Sequence, residues 1–336
     1  MRITRHALIV LAASAILIAP AAAAAGTTSP PGSQVAPFTA PIKVTATIHV
    51  GKAPAGVAVD PWTNMIYVAN SGSGTVSVIN GKTKKVRATI RVGHLPFAVA
   101  VNPRTNTVYV ANAKSNTVSV ISGRTNKIRA TIRVGHGPAG VAVNPVTHRV
   151  YVTNANSHTV SVINARTNKV GATIPVLHYL AGIAAALTTN TIYVANSFKR
   201  TVSAISGKTH KIITDIFVGT GPEGITVNQR TNTVYVAVID KVSVIDGQTN
   251  MVLATIPLSI QEAGGGIAVN QRTDTVYVTN FGLNTMLVID GQTNAVVTTV
   301  PVGKFPEGVA ANPTTGTVYV SNIGDNTVSV LTSSQG

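Results

Sequence analysis

Three histidines of this chain recur at one repeat interval and have the chemistry to bind a metal ion together. His94, His136 and His178 are each separated by 42 residues. Neutral imidazoles bind divalent transition metals and also act as general acids or bases. The same register elsewhere in the chain holds further residues, which are Lys52, Thr220, Glu262 and Lys304. We expect all these positions to meet around one opening.

Carboxylates accompany the three histidines. Glu262 shares their register, and Glu223 and Glu307 stand three positions after it in other copies of the repeat. Three protein ligands with an open position would suit a Lewis acid. The spacing therefore predicts a metal or catalytic site on the three histidines, completed by one of these carboxylates.

Two other interpretations of these positions stay open. His94 and His136 both end the string RATIRVGH, so simple duplication of the repeat also accounts for them. The positions equally fit a polar mouth that binds a ligand without catalysis. Bulky apolar residues stand nearby where most copies have Gly or Ala, namely Leu95, Phe97, Tyr179 and Phe305. We expect these residues, with Lys52, Glu262 and Lys304, to contact a ligand or partner.

A repeat determines the elements that must position these residues. The motif Tyr-Val-(Ala/Thr/Ser)-Asn, or a near copy, recurs every 42 residues, at Tyr67, Tyr109, Tyr151, Tyr193, Tyr235, Tyr277 and Tyr319. Each copy holds four short runs of β-forming residues separated by Gly, Pro, Asn and Ser, which indicates four strands joined by hairpins. A four-stranded unit of this length is typical of a propeller blade.

The number of repeats predicts a closed ring. Residues 43–336 number 294, which is seven times 42. The last copy stops after its third strand at residues 327–331, whereas residues 44–50 form a fourth strand without a blade. We therefore expect an all-β, seven-bladed β-propeller of four-stranded antiparallel blades. Pairing of strand 44–50 with strand 327–331 would close the ring and remove a sheet edge.

The strings YVAN, YVTN and YVSN, with VGxxPxGVAVNP-like segments before them and TVSVI-like segments after them, resemble the YVTN-family β-propeller proteins. The resemblance covers essentially the whole chain after residue 42. It implies a secreted or envelope-associated bacterial or archaeal protein. It implies little about activity, because members of the family and related seven-bladed rings include surface-layer components, binding proteins, lyases and lactonases.

The N-terminal segment predicts export. Arg2 and Arg5 precede an apolar stretch at residues 7–18 and small residues at 21–25, which indicates a signal peptide over residues 1–25. Residues 26–42 are rich in Pro, Ser and Gly and indicate a flexible linker before the propeller at 43–336. We expect a secreted, extracellular or envelope-associated protein with no transmembrane segment after cleavage. The chain has no cysteine, so no disulfide is expected.

The net charge of +16 is unevenly distributed along the chain. Residues 43–211 hold twenty Lys and Arg and one acid, whereas residues 212–336 hold four and nine. The densest clusters predict a basic rim made of Lys84, Lys85, Arg87, Arg91, Lys127, Arg129 and Arg133. Such a rim attracts polyanions by a screened, largely non-specific force, or serves only for solubility. We expect anionic envelope polymers as partners, and nucleic acid only through non-specific charge.

Two changes of loop length mark one face of the predicted ring. Blade five loses two residues between its second and third strands, and the loop into blade six gains two. Both loop types open on the same face of a propeller, and variable loops commonly carry function. The favoured prediction is a monomeric binding or scaffold module that recognises a polymer, protein or small-molecule ligand there. The alternative is a metal-assisted lyase or lactonase that uses the mouth histidines with a divalent transition metal as cofactor.

Overall fold

The computed structural model describes residues 41–176, 179–258 and 263–333. All of the regular secondary structure in these residues is β-strand. Twenty-eight strands form seven four-stranded antiparallel sheets. The inner strands of successive sheets pack against one another around the ring, and the last sheet packs on the first through Tyr319 and Val57. The predicted seven-bladed propeller is therefore confirmed. Within the described part of the chain, no helix has the length and apolarity needed to cross a membrane.

The first three blades use consecutive strands, numbered here from the inner to the outer edge. Blade one contains β2 (Pro54–Asp60), β3 (Met65–Asn70), β4 (Thr75–Asn80) and β5 (Lys85–Arg91). Blade two contains β6 (Pro96–Asn102), β7 (Thr107–Asn112), β8 (Thr117–Ser122) and β9 (Lys127–Arg133). Blade three contains β10 (Pro138–Asn144), β11 (Arg149–Asn154), β12 (Thr159–Asn164) and β13 (Lys169–Pro175).

The next three blades repeat this order. Blade four contains β14 (Leu180–Ala186), β15 (Thr191–Asn196), β16 (Thr201–Ser206) and β17 (Ile212–Phe217). Blade five contains β18 (Ile225–Asn228), β19 (Thr233–Val238), β20 (Lys241–Asp246) and β21 (Val252–Pro257). Blade six contains β22 (Ala263–Asn270), β23 (Thr275–Asn280), β24 (Thr285–Asp290) and β25 (Ala295–Pro301).

The seventh blade joins the two ends of the propeller. It contains β26 (Pro306–Ala311), β27 (Val318–Asn322), β28 (Thr327–Ser333) and, as its outer strand, β1 (Ile42–His49). The pairing of β1 with β28 confirms the predicted closure, and both strands are slightly longer at one end than expected. Ile42 begins β1 instead of ending the linker. The predicted signal peptide and linker residues 26–40 lie outside the described residues, and their boundaries stay predictions.

The tyrosine of each repeat joins neighbouring blades. All seven repeat tyrosines are buried. Tyr193 donates a hydrogen bond to Asn250 Oδ1 (2.7 Å) and another to the Gly247 carbonyl (3.2 Å), both in a turn of the next blade. Burial, with a smaller contribution from Asp246, raises the pKa of Tyr193 to about 12. The phenol thus stays neutral and works as an inter-blade contact.

The asparagine that ends each motif ties the second strand to the third. In blade three Asn154 Nδ2 donates to Thr159 Oγ1 (3.0 Å) and Ser161 Oγ (2.9 Å). The same pair of contacts recurs at Asn70, Asn112, Asn196 and Asn322. Blade five has Val238 at this position and blade six has Leu287 in place of the serine, so neither blade has this pair of contacts. Buried side-chain hydrogen bonds of this kind specify strand register, because an unmade bond leaves polar atoms unsatisfied.

A ring of glycines lets the inner strands approach each other closely. Six blades share this glycine, at Gly56, Gly140, Gly182, Gly224, Gly266 and Gly308. A methyl group at Gly182 would stand 2.3 Å from the Glu223 carbonyl oxygen of the next blade, far inside van der Waals contact. The same main-chain oxygen accepts the Gly182 N–H at 2.9 Å. Only glycine fits this approach without a backbone shift.

Strand pairing places the loops on two opposite faces of the ring. In blade one the strand ends form two rows, Pro54-Asn70-Thr75-Arg91 and Asp60-Met65-Asn80-Lys85. The loops between blades and the strand 2–3 loops extend from the first row, and we call this side the mouth face. The strand 1–2 and strand 3–4 turns extend from the second row, and we call this side the turn face.

Candidate functional site

The two loop types of the mouth face are hydrogen-bonded to each other in nearly every blade. In blade two the N–H groups of Ala113 and Lys114 donate to the carbonyls of Leu95 (2.8 Å) and His94 (3.2 Å). In blade three Asn156 N–H donates to the His136 carbonyl at 3.1 Å. Main-chain hydrogen bonds therefore fix the backbone of the loops that hold His94, His136 and their described counterparts, and their side chains are held at the surface.

The two described histidines of the register are exposed on this face. The His94 and His136 N–H groups each donate to a serine Oγ at 2.7 Å, those of Ser115 and Ser157. The ring Nδ1 of His136 lies 3.2 Å from Asn116 Nδ2. His178 and Glu262 lie outside the described residues. Among the rest of the chain that the structure describes, no three His, Asp or Glu side chains are grouped as metal ligands. The metal and catalytic hypotheses stay predictions.

The charged residues of the register have different surroundings. Lys52 and Lys304 are exposed, and the Lys304 N–H donates to Asp325 Oδ2 at 2.7 Å. Glu307 is buried and Glu223 half-buried at the start of the inner strands. Cations therefore project from this part of the mouth face, whereas the carboxylates lie deeper.

Two bulky side chains on the mouth face are held in a strained backbone conformation. Leu95 and Phe305 have φ values of +52° and +53°, in the left-handed region. The matching positions of other blades hold Gly137 and Gly221, with φ of +64° and +66°. A large side chain in this region costs about 1–2 kcal/mol, whereas the left-handed positions at the ends of the turns mostly hold Asn, which tolerates this conformation. Of the residues predicted for this site, Leu95 and Phe305 therefore give the strongest indication of a role in binding.

Aromatic side chains form two pairs on the same face. Phe305 stacks on Phe281 of blade six, with ring centroids 5.0 Å apart and an interplanar angle of 25°. Tyr179 meets Phe198 edge-to-face at 5.6 Å. Burial raises the pKa of the Tyr179 hydroxyl, so it stays neutral. Phe97, at the start of the inner strand of blade two, is also exposed. Sequence spacing places Phe198 and Phe281 only at loop tips and does not show that they pair.

Blade five is the irregular blade, as its shortened loop predicts. Only residues 239–240 join its second and third strands, where other blades use four residues. Its inner strand is also shortened, to Ile225–Asn228. Ile239 is exposed and lies over Gly221, where an added methyl group would stand 2.7 Å from its Cδ1. The irregular loop therefore adds another apolar side chain to the mouth face.

The predicted basic rim lies on the outer strands of blades one and two. Six of its residues are exposed on β5 and β9, namely Lys85, Arg87, Arg91, Lys127, Arg129 and Arg133, and Lys84 is half-buried in the preceding turn. Among the described residues, Lys199 and Asp215 form an ion pair at 4.0 Å away from the rim, and the six exposed rim cations face solvent.

The opposite side of the rim has a different character from the one that charge counting indicates. The strand bulge that holds Arg87 and Arg129 in blades one and two holds exposed apolar residues in blades four to six, which are Ile213, Leu253 and Val297. Sequence counting finds more acids than cations in this half. The register of the bulge, visible only in the folded sheets, shows that exposed apolar side chains share this half with acids such as Asp215.

Comparisons with known proteins agree with this geometry. A family model described as a YNCE-like β-propeller matches residues 53–159. This match covers one part of the chain, and the described chain forms a seven-bladed β-propeller that is similar to this family. A solved structure titled Kuenenia stuttgartiensis hydrazine synthase superposes on the propeller with a TM-score of 0.76 and 18% identity, covering 85% of this chain and 98% of that one. At this identity the likeness concerns the fold alone. No curated protein matches the propeller.

Proposed function

We propose that the propeller is a binding module whose mouth face recognises a ligand or partner. The observation that carries the proposal is the left-handed backbone of Leu95 and Phe305, at positions where Gly serves in other blades. Gly137 and Gly221 form the same loop in other blades without a large side chain, so contact with a ligand or partner gives a reason for Leu95 and Phe305 at these positions.

The chemistry of this face indicates the class of ligand. Lys304 precedes Phe305 in the loop between blades six and seven, and Lys52 occupies the matching position before blade one. The Ala53 N–H donates to Asn326 Oδ1 (2.8 Å) and the Lys304 N–H donates to Asp325 Oδ2 (2.7 Å), so the strand 2–3 loop of blade seven links the two positions. Cations beside aromatic side chains favour a ligand that combines an aromatic or aliphatic group with an anionic group.

Binding of 8-anilinonaphthalene-1-sulfonate, an aromatic sulfonate with these two features, tests the proposal. We expect Phe305→Ala to raise its Kd several-fold in a fluorescence titration, because the stacked ring is lost. Phe217→Ala is the matched control, since Phe217 is an exposed phenylalanine of the outer strand of blade four. Equal effects of the two substitutions, or a larger effect of the control, would exclude the mouth face as the binding surface.

We also propose that the chain is exported and that its basic rim attracts anionic envelope polymers. The exposed rim cations support this, because unpaired surface charge acts over about 10 Å at 0.1 M salt. Reversal of Arg87, Arg91, Arg129 and Arg133 to Glu should abolish retention on anionic cell wall at low salt. N-terminal sequencing of protein recovered outside the cell tests export, with cleavage expected near residue 25. Retention that survives the reversal would leave the rim as a solubilising surface.

A further inference from the structure

The turns of the turn face present their second residue to solvent in a fixed geometry. In blade three Asn164 Oδ1 accepts the N–H groups of Arg166 (2.9 Å) and Thr167 (3.2 Å), and Asn168 ends the turn with φ of +55°. The same arrangement holds Trp62 and Val146, whose N–H groups bond to Asp60 and Asn144. Asx turns of this kind are rigid without help from the core. Turns of this kind therefore hold their tips in place.

The tips of the turn face carry cations and no exposed acid. The exposed cations at the second turn positions are Lys82, Arg104, Arg124, Arg166, Lys208, Arg230 and Arg272. The acids of this face are Asp60, Asp246, Asp274 and Asp290, which are buried or half-buried and accept hydrogen bonds from the protein. The potential in front of this face is therefore positive across most of the ring.

Two apolar side chains stand among these cations. Trp62 is 67% exposed and Val146 is 52% exposed, and both occupy the second position of a strand 1–2 turn, as Arg104 does between them. Tryptophan favours the interface between lipid headgroups and hydrocarbon, where cations also meet lipid phosphates. A linear polyanion without aromatic groups, such as polyphosphate, requires the charges but gives no reason for an exposed indole on a rigid turn.

We infer that the turn face docks flat on an anionic phospholipid bilayer. Trp62 and Val146 enter the headgroup region, and the surrounding Lys and Arg side chains contact lipid phosphates. The mouth face then points away from the lipid and stays accessible. The turn face lies opposite the mouth, so this docking does not depend on whether the mouth binds a ligand.

Trp62 is the only tryptophan of the chain, so its fluorescence reports on this face alone. The full chain is titrated with vesicles of phosphatidylglycerol and phosphatidylcholine, and separately with pure phosphatidylcholine vesicles. We expect a blue shift of the emission and quenching by brominated lipid only with the anionic vesicles. Binding without a change in Trp62 emission would overturn the inference, as would equal binding to both vesicle types.

A set of matched variants locates the contact. Lys82→Gln, Arg124→Gln and Arg166→Gln together copy the Gln that blades five and six already carry in this turn, at Gln248 and Gln292. We expect this triple variant to bind anionic vesicles roughly a hundredfold more weakly at low salt, at about fivefold per charge. The control triple variant, Lys114→Gln, Lys199→Gln and Arg200→Gln, removes the same charge from the mouth face and should lose far less. The N-terminal segment is common to both variants.

Two further measurements separate this surface from its competitors. A triple Arg→Gln variant of the rim at positions 87, 91 and 129 should bind vesicles more tightly than the turn-face variant. Loss equal to that of the turn-face variant would mean diffuse attraction and would overturn the inference. Soluble polyphosphate should leave the Trp62 emission unshifted. A blue shift with polyphosphate alone would identify a linear polyanion as the partner and refute the bilayer.

Discussion

The two faces of this propeller are built from the same repeat but vary to very different degrees. On the turn face, blade after blade keeps one turn length and a left-handed residue at the end, and every turn except the one at Ala186 starts with Asn, Asp or Ser. On the mouth face, loop lengths change in blades five and six, and the exposed residues range from Lys and His to Phe. The turn face therefore offers an even array of charge, whereas the mouth face offers one particular arrangement.

The difference has a physical cause. A turn that satisfies its own backbone through an Asx side chain imposes no demand on its exposed second residue, so the same scaffold repeats with any tip. A loop between blades must cross from the outer edge of one sheet to the inner edge of the next, and its residues contact both blades. Substitutions there change the geometry of neighbouring loops, which favours a specific site over a uniform surface.

The largest expected effect is the loss of the closed ring, on which both faces depend. Deletion of residues 42–49 removes β1, leaves β28 as an open edge and exposes the core around Ile48, which is buried in the native ring. We expect loss of cooperative thermal unfolding by circular dichroism. Deletion of residues 26–40 is the control and should leave the unfolding midpoint unchanged. If the two deletions unfold alike, the ring does not depend on this closure.

A second prediction sharpens the comparison at the mouth end of the inner strands. Gly182→Ala should lower the free energy of unfolding by about 2–3 kcal/mol in urea, because the methyl group meets the Glu223 carbonyl. Gly171→Ala is the control, since a methyl group there would have only the Val162 carbonyl, at 3.9 Å, as a neighbour. A tolerated Gly182→Ala would show that the blades separate easily at the mouth.

A third prediction compares one asparagine from each face of blade three. Asn154→Ala removes a buried amide that bonds two hydroxyl groups and should cost about 2 kcal/mol of unfolding free energy. Asn164→Ala removes an exposed turn side chain and should cost about 1 kcal/mol, as loss of a helix N-cap does. Equal or reversed losses in chemical denaturation would contradict the view that the turns stabilise themselves locally.

The smallest expected effect is an increase in the free energy of unfolding, whereas the changes above lower it. Leu95→Gly and Phe305→Gly should each stabilise the propeller by about 0.5–1 kcal/mol, because glycine adopts the left-handed conformation without strain. Both should weaken binding of the aromatic sulfonate to the mouth face. Ala53→Gly relieves the same conformation, at φ of +50°, without removing a large side chain. It should stabilise the fold and leave binding as it was, and a loss of stability in all three variants would refute strain.

The architecture could be predicted because the 42-residue period and the truncated last copy are properties of the sequence order. Tyr67 and its six counterparts mark the core of every blade. The last repeat ends after its third strand, at residues 327–331, so its fourth strand must come from elsewhere in the chain. The candidate site was predicted less completely. The register of His94 and His136 gives their face, but the distance between two side chains on different blades depends on the packing angle of the blades. The pairing of Phe281 with Phe305 crosses between blades and has no local signal.

Sequence alone determined the number of blades, the partner of each strand and the positions of the charges, because each of these follows from repetition along the chain. Tertiary structure decided which charges share a surface. Arg104 and Arg166 stand far apart in sequence from Trp62 and have different neighbours, yet the antiparallel strands return all three to the turn face. It also decided that Leu95 and Phe305 occupy left-handed positions, since a backbone angle is fixed by the loops that the ring brings together.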